Sequence, residues 1–114
     1  MTGDNDEAWH RLVEQLREAP APTESPALPQ LYTLVMETGR KVLRAKFPRL
    51  SDADHEDVLS EKFTRDLLAI VGASRPRSFF IAAIVRSAID IKRRSQTRDR
   101  YIAQQTHELV EPQP

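Results

Sequence analysis

The apolar residues of this chain recur at steps of three and four, and no stretch bounded by turn residues alternates. Trp9, Leu12, Val13 and Leu16 form one such stripe. Leu31, Leu34, Val35, Thr38 and Val42 form a second, and Val58, Leu59, Phe63, Leu67 and Ile70 a third. A period near 3.6 gathers each set on one face of a helix, whereas a half-buried strand needs a period of two. Stripes of this kind bury themselves against other helices. A fourth segment, residues 79–85 (FFIAAIV), is apolar all round, which puts a helix inside a bundle on most of its sides. The expected class is all-α. Three packed helices are predicted at roughly 30–46, 52–71 and 78 to at least 94, the last extending toward 105, with an extra N-terminal helix at roughly 5–18.

Punctuation between the stripes is strong. Residues 19–29 (APAPTESPALP) hold prolines at 20, 22, 26 and 29. Proline fixes φ and lacks an N–H, so this segment reads as an extended, semi-rigid linker. The first helix then becomes an appendage, and the chain divides into 1–29, a helical domain at 30–105 and a disordered tail at 106–114. Two roles suit such an appendage: folding back over an apolar patch, or acting as an acidic flap over a basic face. Pro48 stops the second helix. Ser51 followed by Asp54 fits the N-cap signature, and Gly72 is the expected C-terminal cap of the third helix. The basic stretch GASRPRS reads as the loop before the last helix.

Charge is partitioned along the chain. Lys+Arg and Asp+Glu number 17 each, so the net charge is zero. Yet residues 1–30 carry six acidic and two basic side chains, while residues 72–100 carry eight basic and two acidic. An unneutralised basic quarter suggests an anionic partner for that segment. Other classes are excluded or disfavoured. Without cysteine there is no disulfide, zinc ribbon or thiol chemistry. No apolar run nears the ~18 residues of a membrane span, and the polar start MTGDNDEAW is unlike a secretory signal, so no membrane partner and a cytoplasmic location are expected. There is no Gly-x-Gly loop to cradle phosphate. No nucleophile–base set stands out, so neither catalysis nor a cofactor is expected.

The stretch DADHEDVLSEKF, residues 52–63, packs Asp52, Asp54, Glu56, Asp57 and Glu61 into one helix start. The plain physical reading is a solvated N-terminus whose charges suit the helix dipole. His55 and Glu56 open no HExxH pair, since position 59 is Leu, so no metal site is expected. At the other end, Lys92, Arg93, Arg94, Arg98 and Arg100 face only Asp90 and Asp99 as acidic neighbours, an arrangement suited to nucleic-acid contact.

Taken together, these residues carry a resemblance. From about Leu31 to Arg100 the chain resembles the second conserved region of bacterial sigma-70-type transcription initiation factors, and within them the extracytoplasmic-function group. That group has a motif of the form D-A-E-D-L-V-Q-E-V-F on an acidic helix. Residues 54–63 (DHEDVLSEKF) occupy it without a gap. Its next helix reads like A-W-L-x-x-I-A-x-N-x-x-x-D-x-x-R-R, onto which Ser78, Phe79, Phe80, Asp90, Arg93 and Arg94 fall. Ser60 stands where Gln is usual, Phe79 where Trp is usual and Arg86 where Asn is common.

The resemblance implies two surfaces. Asp54, Asp57, Ser60 and Glu61 would dock on the clamp helices of the largest subunit of core RNA polymerase. Arg75, Arg77, Phe79, Arg86, Lys92, Arg93, Arg94 and Arg98 would contact −10 promoter DNA and help to open it. An anti-sigma protein is a further implied class of partner. The resemblance also calls for a −35-reading domain, for which this sequence has no room. The expectation is therefore either an excised piece or a free-standing domain, and with the latter comes an alternative: a sigma mimic that occupies the clamp and regulates transcription without promoting initiation.

Overall fold

The computed structural model describes residues 2–110, and side chains within 6–104. It contains α1 (Thr2–Glu18), a 3-10 turn (Pro22–Glu24), α2 (Ala27–Lys46), α3 (Asp52–Gly72) and α4 (Pro76–Val110). Among the described residues there is no strand, and the all-α expectation holds. No helix among them is long and apolar enough to cross a membrane.

Each expected stripe faces the core, with Leu34, Val42 and Leu67 half-buried at its edge. Leu31, Val35, Met36 and Leu43 of α2 meet Val58, Leu59, Phe63 and Ile70 of α3, and Phe80, Ile84 and Ala88 of α4 fill the space between. Ser51 caps α3 as its spacing predicts, its hydroxyl accepting from the Asp54 N–H at 3.0 Å. Gly39 of α2 sits directly against Leu59 of α3. A Cβ there would collide with the buried side chain of Leu59 and lie 3.4 Å from Phe80.

Of the two roles expected for the N-terminal helix, folding back over an apolar patch is the one found, and the helix goes further than a cover. It is not an appendage: Trp9, Leu12, Val13 and Leu16 are all at most 4% exposed and belong to the common core. The Trp9 ring sits 6.0 Å from that of Phe80, tilted by 41°. Burying four such side chains contributes on the order of 6–12 kcal/mol before entropy costs, which is comparable with the whole net stability of a small domain. A flap that lifts away would forfeit that term, so α1 is a structural member of the bundle.

The linker departs from expectation. The prolines of 19–29 do not hold the chain extended; they form a tight 3-10 turn that brings α1 back against α2. Helix α2 starts at Ala27, three residues early, because Pro29 falls in its first turn, where an N–H has no intrahelical partner to lose. Pro76 similarly opens α4, shortening the expected basic loop to residues 73–75.

At the other end of α3, no glycine has a positive φ, so Gly72 is not a left-handed cap. Arg17 of α1 does the capping instead. Its Nε and Nη2 donate to the carbonyls of Val71 and Ala73 at 2.6 and 2.8 Å, a cation on a helix C-terminus. Helix α4 stays helical to Val110, past the expected end at 105, and the remaining stretch of the expected disordered tail, 111–114, lies outside the described residues. Its core contacts end near Ile91, so the rest projects and the molecule measures 74 × 30 × 21 Å.

Candidate docking and nucleic-acid surfaces

Helix α3 turns its core stripe inward, and the opposite face carries Asp57, Ser60, Glu61, Thr64 and Leu68, all exposed. Their spacing of three, one, three and four places them in one row. Leu68 is 83% exposed, an isolated apolar side chain at the end of an acidic row. Among the described residues Asp57 has no ion-pair or side-chain hydrogen-bond partner. Glu61 reaches Arg65 at 3.4 Å, an exposed i, i+4 pair of little strength.

The other carboxylates of the acidic stretch have internal duties. Glu56 takes a two-pronged contact from Arg40 of α2, Nε–Oε1 at 2.6 Å and Nη2–Oε2 at 3.3 Å. The Arg40 hydrogen bond holds the Glu56 carboxyl below the usual glutamate range, and Glu56 in turn raises Arg40. Asp54, expected beside Asp57 and Glu61 as a polymerase contact, is half-buried and lines a cleft with Arg94 and Arg98 of α4. It faces the basic helix because it lies in the first turn of α3, where α4 passes.

Buried His55 is 4% exposed and lies 2.9 Å from the Phe47 carbonyl through Nε2. A carbonyl only accepts, so Nε2 carries the proton and donates. The imidazole thus ties the 47–50 loop to α3. No group of three or more His, Cys, Asp or Glu among the described residues is placed to hold a metal ion.

The basic candidates divide into three sets. Arg77 is turned inward: its side chain is 26% exposed, and its Nε is buried 3.9 Å from Asp6 Oδ1 of α1 without a hydrogen bond. Of the residues expected on the DNA side, it is thus partly covered by α1, while Arg75 and Arg86 are exposed. Phe79, Arg86, Asp90 and Arg93 follow one another at seven, four and three residues, all exposed, and so form an outer face of α4 with Arg75 just before it. Phe79 is 39% exposed while its neighbour Phe80 is fully buried, a division that their 100° separation on a helix requires. Arg86 and Asp90 form no ion pair. Lys92, Arg94 and Arg98 belong instead to the flanks that border the 47–50 loop.

The sequence reading missed Arg17, Arg40 and the ordering role of His55. Each acts across 8 to 56 residues of chain, and no local spacing signals such partners. Comparison of the chain with protein-family models, with curated proteins and with solved structures finds no match.

Proposed function

We propose that this chain is a transcription-initiation module of the sigma second-region kind, docking on RNA polymerase through α3 and contacting −10 promoter DNA through α4. The observation that carries the reading is the outward row Asp57, Ser60, Glu61 and Leu68. It presents two carboxylates, one unpaired and one weakly paired, and one apolar contact on a rigid, internally cross-braced helix. Such a row suits a basic coiled coil: the carboxylates steer and set register, while Leu68 loses water on contact. On α4, Arg86 and Arg93 would neutralise phosphates and gain affinity by counterion release. Half-exposed Phe79 offers a stacking surface for a base leaving the duplex. No step of covalent chemistry belongs to the module; the polymerase supplies it.

A second reading draws on Arg77. With that cation partly covered by α1 and drawn toward Asp6, the DNA side is poorer than the resemblance implies, which favours a mimic that occupies the clamp without promoting initiation.

Pull-down with core polymerase tests docking. Wild type is recovered, while Asp57→Arg and Glu61→Arg each lose most of the signal and Arg86→Glu does not. Equal recovery of all four refutes the docking face. Run-off transcription from an extended −10 promoter then separates the readings: an initiation module yields transcript, a mimic suppresses it.

A further inference from the structure

The loop between α2 and α3 is held at both ends. Phe47 N–H donates to Leu43 O at 2.7 Å, Leu50 N–H donates to Phe47 O at 3.2 Å, and His55 grips the same Phe47 carbonyl. Phe47 and Leu50 pack on the core, so Pro48 and Arg49 stand on a fixed, exposed corner. Residues 92–99 of α4, having left the core, run past this corner.

Between them lies a cleft of about 420 Å³ lined by Lys46, Arg49, Lys92, Gln96 and Asp99. Leu50 and Ser95 wall it from a second, smaller cleft that holds Arg94, Arg98 and Asp54. The two concavities therefore adjoin, with five cations against two carboxylates. None of the five cations forms an ion pair with either carboxylate or with any other described residue. Like charges gathered unpaired in a concavity focus positive potential there.

We infer that this double cleft binds a phosphodiester backbone, adding Lys46 and Arg49 of the α2–α3 corner to the nucleic-acid surface. The inference rests on the proposed reading of α4 as the DNA-facing helix. Length argues for a polyanion over a lone phosphate. From Lys92 to Arg98 the helix rises about 9 Å, and one DNA strand advances about 3.4 Å per phosphate, so the cations span two to three successive phosphates. Ser95 and Gln96, between them, supply neutral donors to the same groups. A strand lying here passes the basic end of α4 and turns onto the corner, away from the α3 docking row.

The test is fluorescence anisotropy of a labelled single-stranded oligonucleotide with the full chain across a salt series. Each lost phosphate contact lowers the slope of log affinity against log salt by about 0.7. Lys46→Glu and Arg49→Glu are each expected to lower it by that amount, and the double variant by about 1.4. Arg65→Glu makes the same charge change on the exposed face of α3 and is expected to keep the wild-type slope. Matching thermal melts by circular dichroism establish that the variants fold. Wild-type slopes for Lys46→Glu and Arg49→Glu, with a reduced slope for Arg93→Glu, overturn the cleft and leave the α4 reading standing. A wild-type slope in every variant, or no binding by the wild type, overturns both. Equal losses for Arg65→Glu and Arg49→Glu reduce the effect to net charge and also overturn the cleft.

Discussion

Removing the Trp9 side chain tests whether α1 belongs to the core. Trp9 is fully buried against Phe80, and truncating such a residue to alanine costs about 3–5 kcal/mol through lost transfer energy and the cavity left behind. In a chain of this size 1 kcal/mol moves Tm by about 4 °C, so Trp9→Ala should melt roughly 12–20 °C below wild type. Its indole N–H is buried without a partner, a defect worth about 1–3 kcal/mol. Trp9→Phe removes that defect along with some packing, and should therefore fall much closer to wild type than to Trp9→Ala. The assay is helical ellipticity against temperature, checked by urea titration. Trp9 is also the sole tryptophan, so its emission reports on α1 alone. It should be blue-shifted and resistant to acrylamide in the native chain and lose both properties in urea. A Trp9→Ala melt within 3 °C of wild type, or freely quenched native emission, refutes the packing of α1 and restores the appendage.

Three further perturbations separate local causes. Gly39→Ala should destabilise by about 1–3 kcal/mol despite the better helix propensity of alanine, because its methyl meets Leu59; Gly72→Ala, with open space around its Cβ, should be neutral or stabilising in the same urea titration. The Arg40–Glu56 contact lowers the Glu56 pKa in the folded chain, so its contribution is present above the ordinary glutamate value of 4.5 and is lost as pH falls through the lowered one. A double-mutant cycle of Arg40→Met and Glu56→Gln should show coupling at pH 7, weaker in high salt, and none at pH 2. Arg17→Met should speed hydrogen exchange at the α3–α4 junction while leaving the middle of α2 protected; unchanged exchange at residues 71–80 would remove Arg17 from its capping role.

How much of this was legible follows from the range of each interaction. Periodicity depends on neighbours three and four apart, so the stripes of α2 and α3 and the Ser51 cap were readable, and so was the outward placement of Asp57, Ser60 and Glu61. A stripe says that a helix has an apolar face, not what covers it. The prolines of 19–29 look alike whether the chain runs straight on or turns back. The available signal was the stripe of α1 itself: Trp9, Leu12, Val13 and Leu16 could not stay in water on a short isolated helix at no cost. The inward turn of Arg77 depends on where α1 lands, and so escaped the local pattern entirely. The same holds for the division of the α4 cations between outer face and cleft, which is set by where the 47–50 loop abuts the helix.

That geometry bears on how one small neutral chain could serve two oppositely charged partners. Acidic and basic residues on flexible segments would pair with each other and cancel. Here they are kept apart by rigid means: the acidic row faces away from the core of α3, and α4 leaves from a three-residue junction whose carbonyls Arg17 holds. Of the other acids at that helix start, Glu56 is taken up by Arg40 of α2, and Asp54 alone borders the α4 cations, lining a cleft with Arg94 and Arg98 without an ion pair to either. On the proposed reading, seating α3 on the polymerase would fix the direction of α4 at once, with no further ordering entropy in the junction. Loosening the junction should then weaken promoter contact while leaving polymerase recovery intact. Arg17→Met is the variant that asks this directly, because it touches neither the Asp57–Glu61 row nor any cation of α4.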